Sequence, residues 1–232
     1  MRDESRMFLH GVGGRKYLNH SERRRFLQAA ARMAPDIQLF CLLIAWSGAR
    51  ISEALALTPS SFDLDRGVVA LRTLKRRKRM IREVVLPPDL LVSLDRAFGL
   101  GTAQSCRGAN SGPLWPWCRQ TGWRYIKAVM ASAGIVGDCA MPKGLRHGFA
   151  VAAFQASVPG HLVQRWLGHA SMRTTAIYGD VSGPEEQGFA ERMWSKGIPT
   201  SLASGIDAPA MVASAFPVAH WRISFRLDWK AP

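Results

Sequence analysis

Four places along this chain carry residue types that could act together on a phosphoryl group. Arg50 and Glu53 stand three apart, directly after the Ser47-Gly48 turn signal. On a helix that spacing puts both side chains on one face, so the carboxylate can hold the guanidinium. The stretch LRTLKRRKRMIR, residues 71–82, has seven basic residues in twelve and no acidic one. Lys143 and Arg146 are again three apart, at the start of a helical stretch, and a helix N-terminus with two cations is suited to an anion. His169 and Tyr178 follow nine residues apart in WLGHASMRTTAIYGD. Tyr178 is one of only three tyrosines, with Tyr17 and Tyr125, and its neighbours Thr174, Thr175, Gly179 and Asp180 predict an exposed phenol rather than a core one.

Taken singly, these residues have ordinary explanations: a surface ion pair, a solvated charge run, a basic helix start, a packed tyrosine. Together they share one chemistry. Two guanidinium groups can bind both non-bridging oxygens of a phosphodiester and stabilise its pentacoordinate transition state. A tyrosine hydroxyl is a nucleophile that forms a covalent phosphotyrosine. A lysine can protonate the departing 5′ oxygen. Lys75, nearest the end of the first strand, and Lys78 both qualify. Such a site needs no metal and no cofactor, and the sparse, isolated carboxylates argue against a two-metal nuclease.

The whole chain fits that reading. It has 232 residues, 47% of them apolar, with 31 Lys+Arg against 17 Asp+Glu, so its net charge is +14. That excludes a disordered chain and points to a polyanionic partner, most commonly nucleic acid. Cys41, Cys106, Cys118 and Cys139 lack CxxC spacing, so neither a disulfide scaffold nor a zinc site is predicted, and reduced thiols fit a cytoplasmic protein. No transmembrane span or signal peptide is predicted, and no membrane partner.

The elements that must position these residues are mostly helices. Residues 1–16 read as a flexible leader. Asn19 and Glu22 form a capping-box-like start to SERRRFLQAAARM. Pro35-Asp36 opens DIQLFCLLIAW, which is apolar nearly all round and so predicts a buried central helix ending at a left-handed Gly48. ARISEALAL is a short helix. VVAL and REVVLP predict a hairpin whose tip is basic, and a fixed basic tip can enter a DNA groove with Arg72, Arg76, Arg77, Lys78, Arg79 and Arg82 on phosphates. DLLVSLDRAF is a helix, 99–113 a loop, and 119–134 a helix turning Trp123, Ile126 and Met130 to the core. LRHGFAVAAFQAS, HLVQRWLGHA and SMRTTAIYGD continue as helix, helix and short helical segment. GPEEQGFAERMW predicts a last amphipathic helix. Residues 197–232, with five charged residues, form a tail without a predicted fold. The fold class is α+β, mainly α-helical, with a small antiparallel β-sheet.

Four blocks resemble the catalytic domain of the tyrosine recombinase (phage integrase) family: SGARISEALALT at 47–58, the basic hairpin 71–87, PKGLRHGFA at 142–150 and LGHASMRTTAIYGD at 167–180. They stand in the family's order and at its spacing, and the resemblance covers about residues 17–196. It implies that Arg50 and Arg146 are the catalytic arginines and Glu53 the supporting acid. It further implies Lys75 as general acid, His169 as a ligand of the scissile phosphate and Tyr178 as nucleophile. Lys143 stands where the family usually has His; it can contact phosphate but is a poor base at neutral pH unless its pKa is lowered. His147, next to Arg146, is expected to point elsewhere on the helix. Only about 16 residues precede the resembling region, where family members usually carry a helical domain of roughly a hundred residues. The expectation is a minimal integrase, a truncated copy, or a partner to another recombinase subunit. The resemblance implies double-stranded DNA as partner and a homotetramer on two duplexes. A DNA-binding relative that does not cleave, and a type IB topoisomerase-like enzyme, are the alternatives.

Overall fold

The computed structural model describes residues 15–73, 80–105 and 112–179, all within the unit formed by residues 1–193. The leader up to residue 14, the hairpin tip 74–79, residues 106–111 (including Cys106) and the predicted last helix and tail from residue 180 lie outside the described residues.

The chain enters through a capping box. Glu22 N donates to Asn19 Oδ1 at 2.8 Å and Asn19 N donates to Glu22 Oε2 at 3.0 Å, which satisfies two helix-end donors and starts α1, His20–Ala30. Next comes α2, Pro35–Ser47, buried along Leu39, Phe40, Cys41, Leu43, Ile44 and Ala45. It packs against α1, against α4 (Pro88–Phe98) and against α7 (Pro142–Gln155), so its all-round apolar surface finds a neighbour on each side. Gly48 ends α2 at φ 62°, and a Cβ there would lie 2.5 Å from Phe149 Cδ1. The turn therefore needs glycine twice, for its backbone and for the close approach of α7. Directly after it stands α3, Ile51–Leu55.

The sheet has three antiparallel strands in the order β1 (Phe62–Asp63), β2 (Val68–Thr73), β3 (Met80–Val85). Its register pairs Leu71 with Arg82 and Arg72 with Ile81. Cross-strand partners share a face. Leu71 and Arg82 are buried, whereas Arg72 and Ile81 are exposed. Arg82 thus departs from the expectation that placed it on the DNA-facing tip: the register turns it inward. A one-residue shift would have turned it out.

Two helix expectations also change. Gly99 caps α4 in the left-handed conformation, and the predicted loop then begins as a further helix, α5, Leu100–Ser105. Gln104 holds it, its amide donating to Pro59 O at 2.8 Å and Phe62 O at 2.9 Å. In α6, Arg119–Ser132, Ile126 and Met130 are buried as expected but Trp123 is 44% exposed. Gly122 faces the core instead, where a Cβ would lie 3.1 Å from Phe40 Cζ. The buried stripe runs 122, 126, 129, 130, one position off the one read from the tryptophan. The chain closes with α7, α8 (Gly160–Leu167) and the one-turn α9 (Arg173–Ala176). No helix among the described residues is long and apolar enough to cross a membrane.

Candidate active site

Arg50 is the residue before α3, and Glu53 fastens it twice. The Glu53 carboxylate accepts from Arg50 N at 2.9 Å and from the Arg50 guanidinium at 2.7 Å. Behind it, Arg82 donates to the same carboxylate at 2.6 and 3.3 Å. Glu53 is almost fully enclosed, its side chain 1% exposed. Burial alone pushes its pKa up. The hydrogen bond and charge of Arg82, followed by those of Arg50, outweigh that, and the pKa ends below the usual carboxylate value. Arg82 also donates to Trp166 O at 2.6 Å and Thr73 Oγ1 at 3.2 Å. Its hydrogen bonds go to protein acceptors, so it braces Arg50 from within.

Arg146 sits on α7 and is 6% exposed. Its guanidinium donates to Gly48 O and Leu167 O, the carbonyl ends of α2 and α8. Carbonyl ends of helices carry partial negative charge and favour a cation. The end of α8 is thereby held by two arginines from different elements, Arg146 on Leu167 and Arg82 on Trp166. Gly168, at φ 64°, turns the chain between them, and a Cβ there would lie 3.1 Å from Arg82 Cδ. Burial, then the neighbouring Arg50 and Arg82, push the Arg146 pKa down to about 9, which leaves it protonated at neutral pH.

Tyr178 differs most from expectation. It is 2% exposed and belongs to a small apolar cluster with Tyr17, Phe149, Ala150, Val163 and Leu167. The flanking small and polar residues described the segment's surface, while the ring turns inward. Its hydroxyl meets His147 Nδ1 at 2.6 Å. Burial raises the phenol's pKa to about 12, against the opposing influence of Arg146 and Arg50. Burial, followed by Lys143, Arg146, His169 and Lys16, lowers that of His147 to about 3. His169 stacks on Tyr178, ring centroids 6.1 Å apart at 23°, and its Nδ1 meets Thr175 Oγ1 at 3.0 Å.

Lys16, Arg50, Arg119, Lys143, Arg146, His147, His169 and Tyr178 all line one cavity of about 890 Å³. Five of these are Lys or Arg, and among the described residues no carboxylate lines it, so the lining suits a phosphate. Five of the predicted site residues thus meet in it: Arg50, Lys143, Arg146, His169 and Tyr178. Glu53 stands behind them. Arg72 is exposed on β2 and Arg82 is buried, and neither lines the cavity. Lys75, Arg76, Arg77, Lys78 and Arg79 lie outside the described residues. Three cavity residues were not singled out from sequence: Lys16, Arg119 and His147. For His147 the signal was present. Lys143, Arg146 and His147 have i, i+3, i+4 spacing, which is one helix face, so His147 points with its neighbours and not away from them. Lys16 and Arg119 come from distant segments, and no local pattern marks them.

Comparison with known proteins decides the family. A model of the phage integrase family matches residues 16–183. The chain belongs to the phage integrase family. Tyrosine recombinase XerA of Pyrococcus furiosus is 28% identical over 183 residues, which cover 76% of this chain and 61% of that protein. The crystal structure of XerA recombinase superposes with a TM-score of 0.61 at 26% identity, over 79% of this chain and 65% of that one. The XerH site-specific recombinase bound to its difH substrate, in a pre-cleavage complex, shares the fold with a TM-score of 0.57 at 23% identity, over 77% of this chain and 54% of that one. The chain spans about half to three fifths of the length of the curated relatives it matches. Its fold, mainly α with a three-stranded antiparallel sheet, is that of a tyrosine recombinase catalytic domain.

Proposed function

We propose that this phage integrase family member is a site-specific DNA recombinase that cuts and rejoins double-stranded DNA through a 3′-phosphotyrosyl link. The observation that carries this reading is the convergence of Arg50, Arg146, His169 and Tyr178 on one cavity that, among the described residues, is lined by cations and no carboxylate. Arg50 and Arg146 hold the non-bridging oxygens of the scissile phosphate, each already fixed by protein acceptors, so little reorganisation accompanies reaction. Lys143, Lys16 and Arg119 add positive charge around that phosphate and its neighbours, and His169 offers it a ring N–H. The Tyr178 oxygen attacks phosphorus, the bond to the 5′ oxygen breaks, and that oxygen takes a proton from Lys75 or Lys78 on the hairpin. A 5′-hydroxyl from a second duplex then attacks the link and frees the phenol. Bond energy is kept in the covalent intermediate, so neither ATP nor a metal is required. Arg72 and the tip residues Arg76, Arg77, Lys78 and Arg79 lie along flanking phosphates. The assembly is a tetramer on two duplexes, of this chain alone or with another recombinase subunit, acting in the cytoplasm. Residues 17–196 form the catalytic domain.

The test is capture of the covalent adduct. A randomised pool of nicked duplexes, from which the short 5′-hydroxyl strand diffuses away after cleavage, should leave DNA attached to the chain in a denaturing gel, with or without EDTA. Tyr178→Phe should leave none, and Arg50→Ala or Arg146→Ala should remove cleavage while keeping most nonspecific DNA affinity. Binding without an adduct would mean a non-cleaving relative; relaxation of supercoiled plasmid without strand exchange would mean a topoisomerase.

A further inference from the structure

We infer that His147 takes the phenolic proton of Tyr178 as that oxygen attacks phosphorus, and returns it when the strand is rejoined. This rests on the strand-transfer reading above. The geometry is direct: His147 Nδ1 lies 2.6 Å from the Tyr178 hydroxyl, both residues are at least nine-tenths buried, and their rings are 5.4 Å apart at 43°. The ring rides on α7 next to Arg146, whose guanidinium is tied to two helix ends, so base and phosphate ligand are set by one rigid element.

The charges facing the pair explain when transfer occurs. Lys143 and Arg146 face it from α7, Lys16 from the entering segment, His169 from the turn after α8, and Arg50 from the start of α3. Among the described residues no carboxylate faces it in the cavity. Without DNA, burial and the neighbouring positive charge keep the imidazole neutral, and burial keeps the phenol protonated against the pull of Arg146 and Arg50. A bound phosphate supplies the missing negative charge, which raises the basicity of the imidazole while the arginines favour the developing phosphorane. Proton acceptance is thereby tied to occupancy of the cavity. In cleavage the Tyr178 Oη–H bond breaks, Nδ1 takes the proton, the oxygen–phosphorus bond forms and the phosphorus–5′-oxygen bond breaks. The 5′ oxygen is protonated from the hairpin. Rejoining reverses each transfer, and Nδ1–H returns its proton to the departing phenolate.

The experiment uses a duplex captured from the randomised pool and resynthesised with sulfur bridging phosphorus and the 5′ carbon. A thiolate leaves without a proton donor, so only the nucleophile's side limits cleavage. The variant is His147→Asn, whose amide oxygen stands near the place of Nδ1 and accepts the phenol's hydrogen bond but cannot take its proton. Expected is a loss of about a hundredfold or more in single-turnover cleavage. The variant's rate should rise about tenfold per pH unit from pH 7 to 9, as the phenol loses its proton to hydroxide, while the unsubstituted chain stays flat. Near-normal cleavage by the variant, or a slow rate with a flat profile, would overturn the role, since either leaves His147 only as a packing or positioning group. Should the variant not fold, the unsubstituted chain still decides: a tenfold rise per pH unit there would show a phenol without an internal base. If the unsubstituted chain forms no adduct at all, the strand-transfer reading fails and the role of His147 with it. An adduct with the wrong pH profile sinks the role alone.

Discussion

Arg146 and Arg82 reach across the molecule, one from α7 to the ends of α2 and α8, the other from β3 to Glu53, Thr73 and α8. Tyr178 is held otherwise. It follows a single helical turn, Arg173–Ala176, belongs to a cluster of eight buried residues, and its hydroxyl meets His147 Nδ1. The cations are therefore fixed by long-range bonds in a large core, and the phenol by a small patch at the end of the described chain. For the strand transfer proposed above, which needs a firmly held phosphate and a nucleophile beside it, that division is physically sensible. Preorganised donors lower the cost of charge development.

The contrast can be broken by substitution. Glu53→Ala should cost the most, about 3–5 kcal/mol of unfolding free energy, because it leaves the Arg82 guanidinium buried without its counter-charge. Tyr178→Phe should cost about 1 kcal/mol, the worth of one hydrogen bond. Urea unfolding measures both, and equal losses would show that the phenol is as firmly built in as the cations.

Acid should sharpen the contrast next. The folded pKa of His147, about 3, lies below its unfolded value of 6.5. Between those values the unfolded chain binds the extra proton. Its contribution is complete above about pH 6.5 and is lost as pH falls toward 3, by up to about 1.4 kcal/mol per pH unit. His147→Asn should flatten that part of the urea-midpoint profile between pH 6.5 and 5. Glu53, also lowered, adds its own loss only below the ordinary carboxylate value of 4.5. Tyr178 acts in the opposite sense: its pKa is raised, so its contribution holds below pH 10 and is lost as pH climbs toward 12.

Gly48→Ala should cost about 1–2 kcal/mol for the left-handed backbone alone, with a further loss as Phe149 is pushed aside. Thermal unfolding would show it, and a neutral result would mean that the turn between α2 and Arg50 can shift freely. The smallest effect is expected at Arg66, whose contact with Glu83 at 2.7 Å is fully solvated. Arg66→Ala should leave the urea midpoint where it is. Set against the buried Arg82 of β3, Arg66, in the turn between β1 and β2, shows how far burial, and not charge, decides what an arginine contributes.

Much of the fold was legible in advance. The Asn19–Glu22 capping box, the apolar run of α2, the Gly48 stop and the two strands around the basic tip are local signals, and local hydrogen bonding and steric rules act on them. The expectation failed where a third element intervenes. Gln104 turns a Gly-rich loop into α5 by bonding two carbonyls more than forty residues away. Trp123 lost the core position to Gly122 because Phe40 packs too closely there for a larger side chain.

The sequence by itself determined which residue types were available for phosphoryl chemistry and that Arg50, Glu53, Lys143 and Arg146 would sit at helix starts, because spacing and turn chemistry are properties of neighbouring residues. Only the tertiary structure decided that Arg82 braces Glu53 instead of reaching outward, that the Tyr178 ring is buried, and that His147 meets its hydroxyl. Those outcomes depend on strand register and on the packing of α7, α8 and the closing turn, contacts between segments 84 residues apart and more that no local pattern encodes.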